Sequence, residues 1–469
     1  MKTLRLIILF NLVAILGSTQ GYKIEVEVNG LKDTTIFLAN YFGKKMYYAD
    51  TAIVNNKGVA VFEGHEAFKG GKYALVMPGP KFFDLILDEQ HFELKTDTSD
   101  YVRNIEFKGS ESNKIYYNYI LFISKKKSEL QALKLGLEGL DENSPEAKVI
   151  KEKMIIVDQS VVSRQKELTE KHKGSLAATI IGMTIPIQIP DAPVDDKGNI
   201  TDSLFQYRYY IEHYLDNTPL EDSRIVRTPE FDKKLNDFFN TALPQSPDTM
   251  IKYADWILPQ VRYDSDLYKF TLHFLTYNFQ SSKFMGMDKA YVHMIEEYYT
   301  KGGITWMDET KLADIIEEAM LIKPTLIGEK APFFRLHDPT ATTFTNLYEV
   351  ESELTLIYIW QPDCGHCKKA NPKLVELNEK YKNKGLKILS ISVDFENEEW
   401  IKYLEEHLEF SKLHNLSDSP KHPSPFRSLY NSKTTPTILL LDRDKKIIAK
   451  KLDIEQLDKF IERKLNEKS

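Results

Sequence analysis

The pattern of apolar and polar positions changes character twice along the chain. Tyr22, Ile24, Val26 and Val28 alternate with polar residues, and Asn29-Gly30 follows as a turn signal. Further strand-like runs cover 35–38, 58–62, 73–77, 83–87 and 91–95. The turn-forming groups Asn55-Asn56, Gly70-Gly71 and Pro78-Gly79-Pro80 separate them. This predicts an antiparallel β domain over residues 22–110, a sandwich or barrel. From Ser110 to about Lys323 the spacing becomes helical. Ser144-Pro145-Glu146, Thr228-Pro229-Glu230 and Ser246-Pro247-Asp248 each combine an N-cap, a proline in the first turn and an acid. A helical domain is expected over 111–325, with a loop at Pro186, Pro190 and Pro193. After Pro324, strands alternate with helices. The run 354–360 is almost wholly apolar, as a strand buried on both faces requires, and 387–393, 437–441 and 446–452 follow. Helices are expected at 364–384, 398–408, 425–430 and 454–466. The whole is a multidomain α+β chain whose last domain, 328–469, is α/β with a central sheet.

Composition narrows the chemistry. The 469 residues are 42% hydrophobic and 28% charged, enough apolar material for two or three cores. The formal net charge of −7 argues against broad nucleic-acid binding, which needs a basic surface. Aromatic stripes such as Tyr207-Arg208-Tyr209-Tyr210 have the spacing of core faces. His172, His213, His273 and His293 lack the i, i+4 spacing of a helical metal site. No phosphate-binding or dinucleotide-binding glycine pattern occurs.

The N-terminus has the form of an address. Lys2 and Arg5 precede an apolar run at 6–16, and Gly17, Ser18 and Thr19 follow. Eleven helical residues span roughly 16 Å, too short for a bilayer core of about 30 Å. Residues 1–20 are therefore expected to be a secretory signal peptide. The mature chain would then carry no transmembrane span and reside in the periplasm or be otherwise secreted. It would be membrane-associated only if the segment stayed uncleaved. Secreted proteins often carry several disulfides, yet this chain has two cysteines, three residues apart. So small a loop removes little chain entropy, and the spacing suits thiol exchange.

Residues 360–372, WQPDCGHCKKANP, place that pair where a buried strand gives way to a helix. Unpaired N–H groups at a helix N-terminus favour a thiolate, so Cys364 is expected as the exposed nucleophile. Cys367, one turn deeper, is expected to resolve the mixed disulfide. Several matched features extend the pattern. Residues 328–334 read GEKAPFF, Trp360 stands four before Cys364, and Pro372 stands five after Cys367. Thr434-Thr435-Pro436-Thr437 and the run 440–447 (LLDRDKKI) complete the set. With these, residues 328–469 resemble the TlpA/ResA-type thioredoxin-like proteins, which are extracytoplasmic thiol–disulfide oxidoreductases. The preceding regions resemble two domains of unknown function that recur ahead of such domains.

The resemblance implies a cis proline at Pro436 facing the cysteines, with Thr435 and Pro436 as substrate contacts beside Trp360 and Pro362. It implies an inserted helix and strand between Val393 and Pro436. It also implies client proteins with thiols or disulfides, a membrane electron donor or acceptor, and no cofactor beyond the redox-active Cys364–Cys367 disulfide. Two positions depart from the family pattern. Tyr358 and Ala370 stand where buried or nearby acids serve as proton acceptors. Asp394, Lys368 or water are the remaining candidates. His366, between the cysteines, is a catalytic candidate: an imidazole beside the thiolate stabilises it and makes the pair more oxidising, whereas one pointing into solvent would do neither. The family points to reduction and this histidine to a less reducing potential, so the direction of electron flow stays open. Three alternatives use the same residues: a copper-handling module, a client-binding module, and a peroxiredoxin-like peroxidase. Gln361 stands where the last would need Thr or Ser.

Overall fold

The computed structural model describes residues 21–467 apart from positions 80, 264, 302 and 395. The expected signal segment, 1–20, lies outside the described residues. Among the described residues no helix is long and apolar enough to cross a membrane. The chain forms two compact units. One runs to Ala242 and adds Gln260–Phe270. The other comprises Leu243–Pro259 and everything from Thr271 onward. The helical stretch is thus shared between them.

In the first unit, strands β1 (Tyr22–Asn29), β2 (Thr34–Phe42), β3 (Lys45–Val54), β4 (Val59–Gly64), β5 (Gly71–Met77), β6 (Lys81–Leu87), β7 (His91–Asp97) and β8 (Glu106–Lys108) build two four-stranded sheets. Their orders are β4-β1-β7-β8 and β3-β2-β5-β6. Ile24, Val26 and Val28 are buried while their neighbours in β1 are not, as the alternation predicted. The purely antiparallel expectation needs one correction: β1 and β7 pair in parallel. Five strands separate them in sequence, so no hairpin turn dictates their relative direction. Helices α1 (Glu111–Leu137), α2 (Pro145–Lys171), α3 (Leu176–Met183), α4 (Phe205–His213) and α5 (Pro229–Asp237) follow. Asn113 of α1 binds the sheet directly. Its side chain accepts from the Ile86 N–H at 2.8 Å and donates to the Ile86 carbonyl at 2.7 Å. The N-caps at Ser144 and Thr228 form as expected, each accepting from the N–H three residues on.

The second unit opens with α6 (Pro247–Ile257, capped by Ser246), α7 (Asp266–Gln280, whose first turn belongs to the other unit), α8 (Asp288–Met294) and α9 (Glu309–Ile322). Then come β9 (Arg335–His337), β10 (Phe344–Asn346), β11 (Leu354–Trp360), α10 (Gly365–Tyr381), β12 (Leu386–Ser392), α11 (Glu398–Glu406), α12 (Leu408–Ser411), β13 (His414–Ser417), α13 (Phe426–Leu429), β14 (Thr437–Leu441), β15 (Ile447–Lys450) and α14 (Ile454–Asn466). One seven-stranded sheet results, in the order β10-β9-β13-β12-β11-β14-β15. β11, β12 and β13 run parallel, and β14 runs antiparallel to β11. Every residue of β11 is buried. Leu356, Tyr358 and Trp360 pack with α10, α11 and α14 on one face, while Ile357 and Ile359 meet Phe334, Phe426 and Leu439 on the other. The expected insertion is present as α11, α12, β13 and α13. The free edge of β15 is covered by residues 328–331: Gly328 and Ala331 donate to the Ile447 and Lys445 carbonyls, and the Ile447 N–H donates to Glu329. An exposed strand edge would otherwise invite pairing with another chain.

One histidine of this sheet makes stability depend on pH. His414 at the start of β13 shares a 2.7 Å hydrogen bond with Thr345 Oγ1. Burial holds its pKa below the ordinary histidine value, and Lys387 adds to the effect. The unfolded chain therefore takes up a proton that the folded chain resists. Stability is full above about pH 6.5 and falls as acidification proceeds toward the depressed folded value. Thermal melts between pH 7.5 and 5 are expected to show this loss, and His414→Gln to flatten it. Parallel curves for the two proteins would refute the assignment.

Candidate active site

Strand β11 carries the chain through the core and releases it at Trp360. Gln361 to Asp363 make the turn, and Cys364 caps α10. The Cys364 N–H bonds back to the Gln361 carbonyl at 3.3 Å, and Lys368 N–H reaches the Cys364 carbonyl at 3.1 Å. The Cys367 N–H donates to Cys364 Sγ at 3.2 Å. The first sulfur thus receives the unpaired amide and positive dipole end that lower a thiol pKa. The two cysteines are joined as a disulfide. Cys364 is half-buried, whereas Cys367 is wholly inside. Attack from solvent therefore reaches Cys364 first.

The Thr435–Pro436 peptide is cis, as the resemblance implied. The Thr435 carbonyl oxygen lies 3.4 Å from Cys364 Sγ, and Thr435 Oγ1 donates to Gln361 Oε1 at 3.3 Å. Thr435 and Pro436 are half-buried, and the Thr435 carbonyl borders the sulfur. His366 is exposed on the first turn of α10. Two expected substrate contacts are displaced. Trp360 is fully buried, with its ring 4.9 Å from those of Tyr403 and Phe410. Pro362 is buried as well. Both support the site from within and offer no surface to a client. Pro372 lies inside α10, where the expected kink residue belongs.

Sequence reasoning missed what fills the place of the acid. Tyr358 donates to Asn371 Oδ1 at 2.7 Å, and Asn371 Nδ2 donates to the Tyr403 hydroxyl at 2.8 Å. Tyr358 and Tyr403 belong to the same core cluster as Cys367, and Asn371 is buried between them. Burial pushes the Tyr358 phenol well above its ordinary pKa, so it stays protonated and neutral. A hydrogen-bonded Tyr358–Asn371–Tyr403 cluster thus stands at the position where the family pattern has an acid. Asp394, a candidate acceptor, uses its carboxylate on the Trp400 N–H at 3.0 Å, at the start of α11. Tyrosine at the acid position was the available signal. Its partners come from helices 13 and 45 residues on, and nothing local announces them.

With this geometry in place, comparison defines the class. Residues 351–447 match a family described as thioredoxin-like (Thioredoxin_8). Residues 22–116 and 160–321 match two domains of unknown function, DUF4369 and DUF5106. Through its C-terminal domain the chain belongs to the thioredoxin-like family. Among similar solved structures is a domain of a possible thiol-disulfide isomerase from Cytophaga hutchinsonii. It is 33% identical over 30% of this chain and 93% of its own, with a TM-score of 0.28. The C-terminal domain of a putative thiol-disulfide oxidoreductase from Bacteroides thetaiotaomicron is 28% identical, covering 31% and 99%, with a TM-score of 0.28. A putative thiol:disulfide interchange protein DsbE from Chlorobium tepidum is 26% identical, covering 30% and 97%, with a TM-score of 0.26. No curated protein matches the chain.

Proposed function

We propose that the protein is an extracytoplasmic thiol–disulfide oxidoreductase that exchanges disulfides with client proteins through Cys364 and Cys367. The observation that carries this reading is the asymmetry of the pair. One sulfur is accessible at a helix N-terminus against the cis-proline loop, and its partner is buried one turn below. The thioredoxin-like family match and the exchange activities named for the similar structures support it. In the reducing direction, the Cys364 thiolate attacks one sulfur of a client disulfide. An intermolecular S–S bond forms, and the client's other sulfur leaves as a thiolate that takes a proton. Cys367 then loses its proton and attacks Cys364 Sγ, releasing the client's second thiolate. The client gains two electrons and two protons, and the protein is left with the Cys364–Cys367 disulfide. A dithiol donor at the membrane returns the electrons. The oxidising direction is the same sequence reversed. The signal-like N-terminus supports the extracytoplasmic location.

Equilibration in glutathione or dithiothreitol redox buffers, read by alkylation mass shift, tests this proposal. The pair is expected to titrate as a two-electron couple between about −270 mV, like thioredoxin, and about −180 mV, like the isomerases. A disulfide that excess dithiothreitol leaves intact in the folded protein would end the proposal. The potential also decides between reductase and isomerase.

A further inference from the structure

A groove with a cavity of about 680 Å³ lies within the second unit and reaches the redox pair's neighbourhood through His366, which stands between the two cysteines, and Pro436. It begins at His366 and Lys369 on the active-site helix, passes Thr434 and Pro436, and is walled on the far side by Asp288 of α8 and Glu318 of α9. Its acids are engaged by neighbouring groups. Asp288 pairs with Lys450 at 2.7 Å. Glu318 accepts from Gln280 at 2.9 Å and Tyr291 at 3.2 Å. Asp453 caps α14, and Glu455 is bonded to Lys373. The mouth is different. Lys369, Lys451 and His366 line the groove and are exposed, and the exposed Lys368 and Lys433 adjoin the lining residues Lys369 and Thr434 along the chain. Across 360–370 and 430–437 the single acid is Asp363. A basic rim on a chain of net charge −7 is a local arrangement, not a reflection of composition.

Resting on the exchange reading above, we infer that this groove seats a client polypeptide whose cysteine is flanked by acidic residues, with α8 and α9 forming its second wall. The lysines at the mouth attract and orient the acidic flanks. The cis-proline loop aligns the chain beside Cys364, and the helices limit how it leaves the site. Rim charges of this kind act on encounter and partner choice, and their effect is screened by salt.

Full-length protein should be assayed with three looped peptides, each holding one internal disulfide flanked by Glu, by Gln or by Lys. At low salt, kcat/KM is expected to rank Glu over Gln over Lys, with Glu ahead of Lys by about tenfold or more. At about 0.5 M salt the ratio is expected to shrink to near twofold. The double variant Lys369→Gln, Lys451→Gln is expected to shrink it at low salt. Turnover of all three peptides at equal kcat/KM would overturn the inference and leave the exchange reading standing. So would a Glu preference unchanged in the double variant. Turnover of none would sink the exchange reading and the inference together.

Discussion

Cys367→Ala is expected to stop the catalytic cycle halfway and leave client proteins covalently held on Cys364. The reason is kinetic. In the intact site the resolving thiol sits one helical turn from the mixed disulfide. Correctly placed intramolecular groups reach effective molarities of about 10⁵ M or more. Millimolar external thiol cannot compete, so steady-state turnover should fall by at least about a thousandfold. Adducts should appear on non-reducing gels and vanish with dithiothreitol. Cys364→Ser supplies the control that separates chemistry from structure. Serine is a strong N-cap, so it should keep the Cys367 N–H satisfied and α10 intact. That variant should fold normally, form no adducts and turn over nothing. Undiminished turnover in Cys367→Ala, or adducts in Cys364→Ser, would assign the roles wrongly.

Much of this site could be read from the letters because each inference needed one local cause. An almost unbroken apolar run has to be buried on both faces, and β11 is. Cysteine after such a strand and before a helix has to stand at the helix N-terminus, and Cys364 does. Where local causes conflict, reading fails. β3 was not foreseen because Met46, Tyr47 and Tyr48 are exposed and its apolar residues follow no alternation. β9 and β10 have three residues each, too few to show a period. β13 hides behind a polar letter. Asn415 is buried there because its side-chain amide serves the carbonyls of Phe410, Ser411 and Leu413. Trp360 and Pro362 were expected to touch clients on the strength of the family resemblance. Adjacency along the chain does not distinguish the inner from the outer side of a turn, and both face inward.

Asp288→Ala should strongly destabilise the second unit. Asp288 in α8 and Lys450 at the end of β15 are almost completely buried and lie 2.7 Å apart. Lys450 also donates to the Thr325 carbonyl at 2.8 Å. Removing one partner of a buried pair strands the other charge and costs about 3–5 kcal/mol. Burial already holds the Lys450 pKa below the ordinary lysine value, against the pull of Asp288. Without Asp288 that opposing pull disappears, and the ammonium relieves its burial by losing a proton. The folded variant then binds fewer protons than the unfolded chain, where lysine titrates near 10.4. Its stability must rise with pH across the interval below that value, so the penalty should shrink between pH 7 and pH 10. Asp288→Ala combined with Lys450→Met removes both charges and should recover most of the loss at pH 7, because a buried pair replaced by apolar groups is often neutral or stabilising. Urea titrations of the four proteins at both pH values decide the matter. A single variant less than about 1 kcal/mol below the parent, or a penalty constant with pH, would mean the pair is not what holds α8 to the end of the sheet.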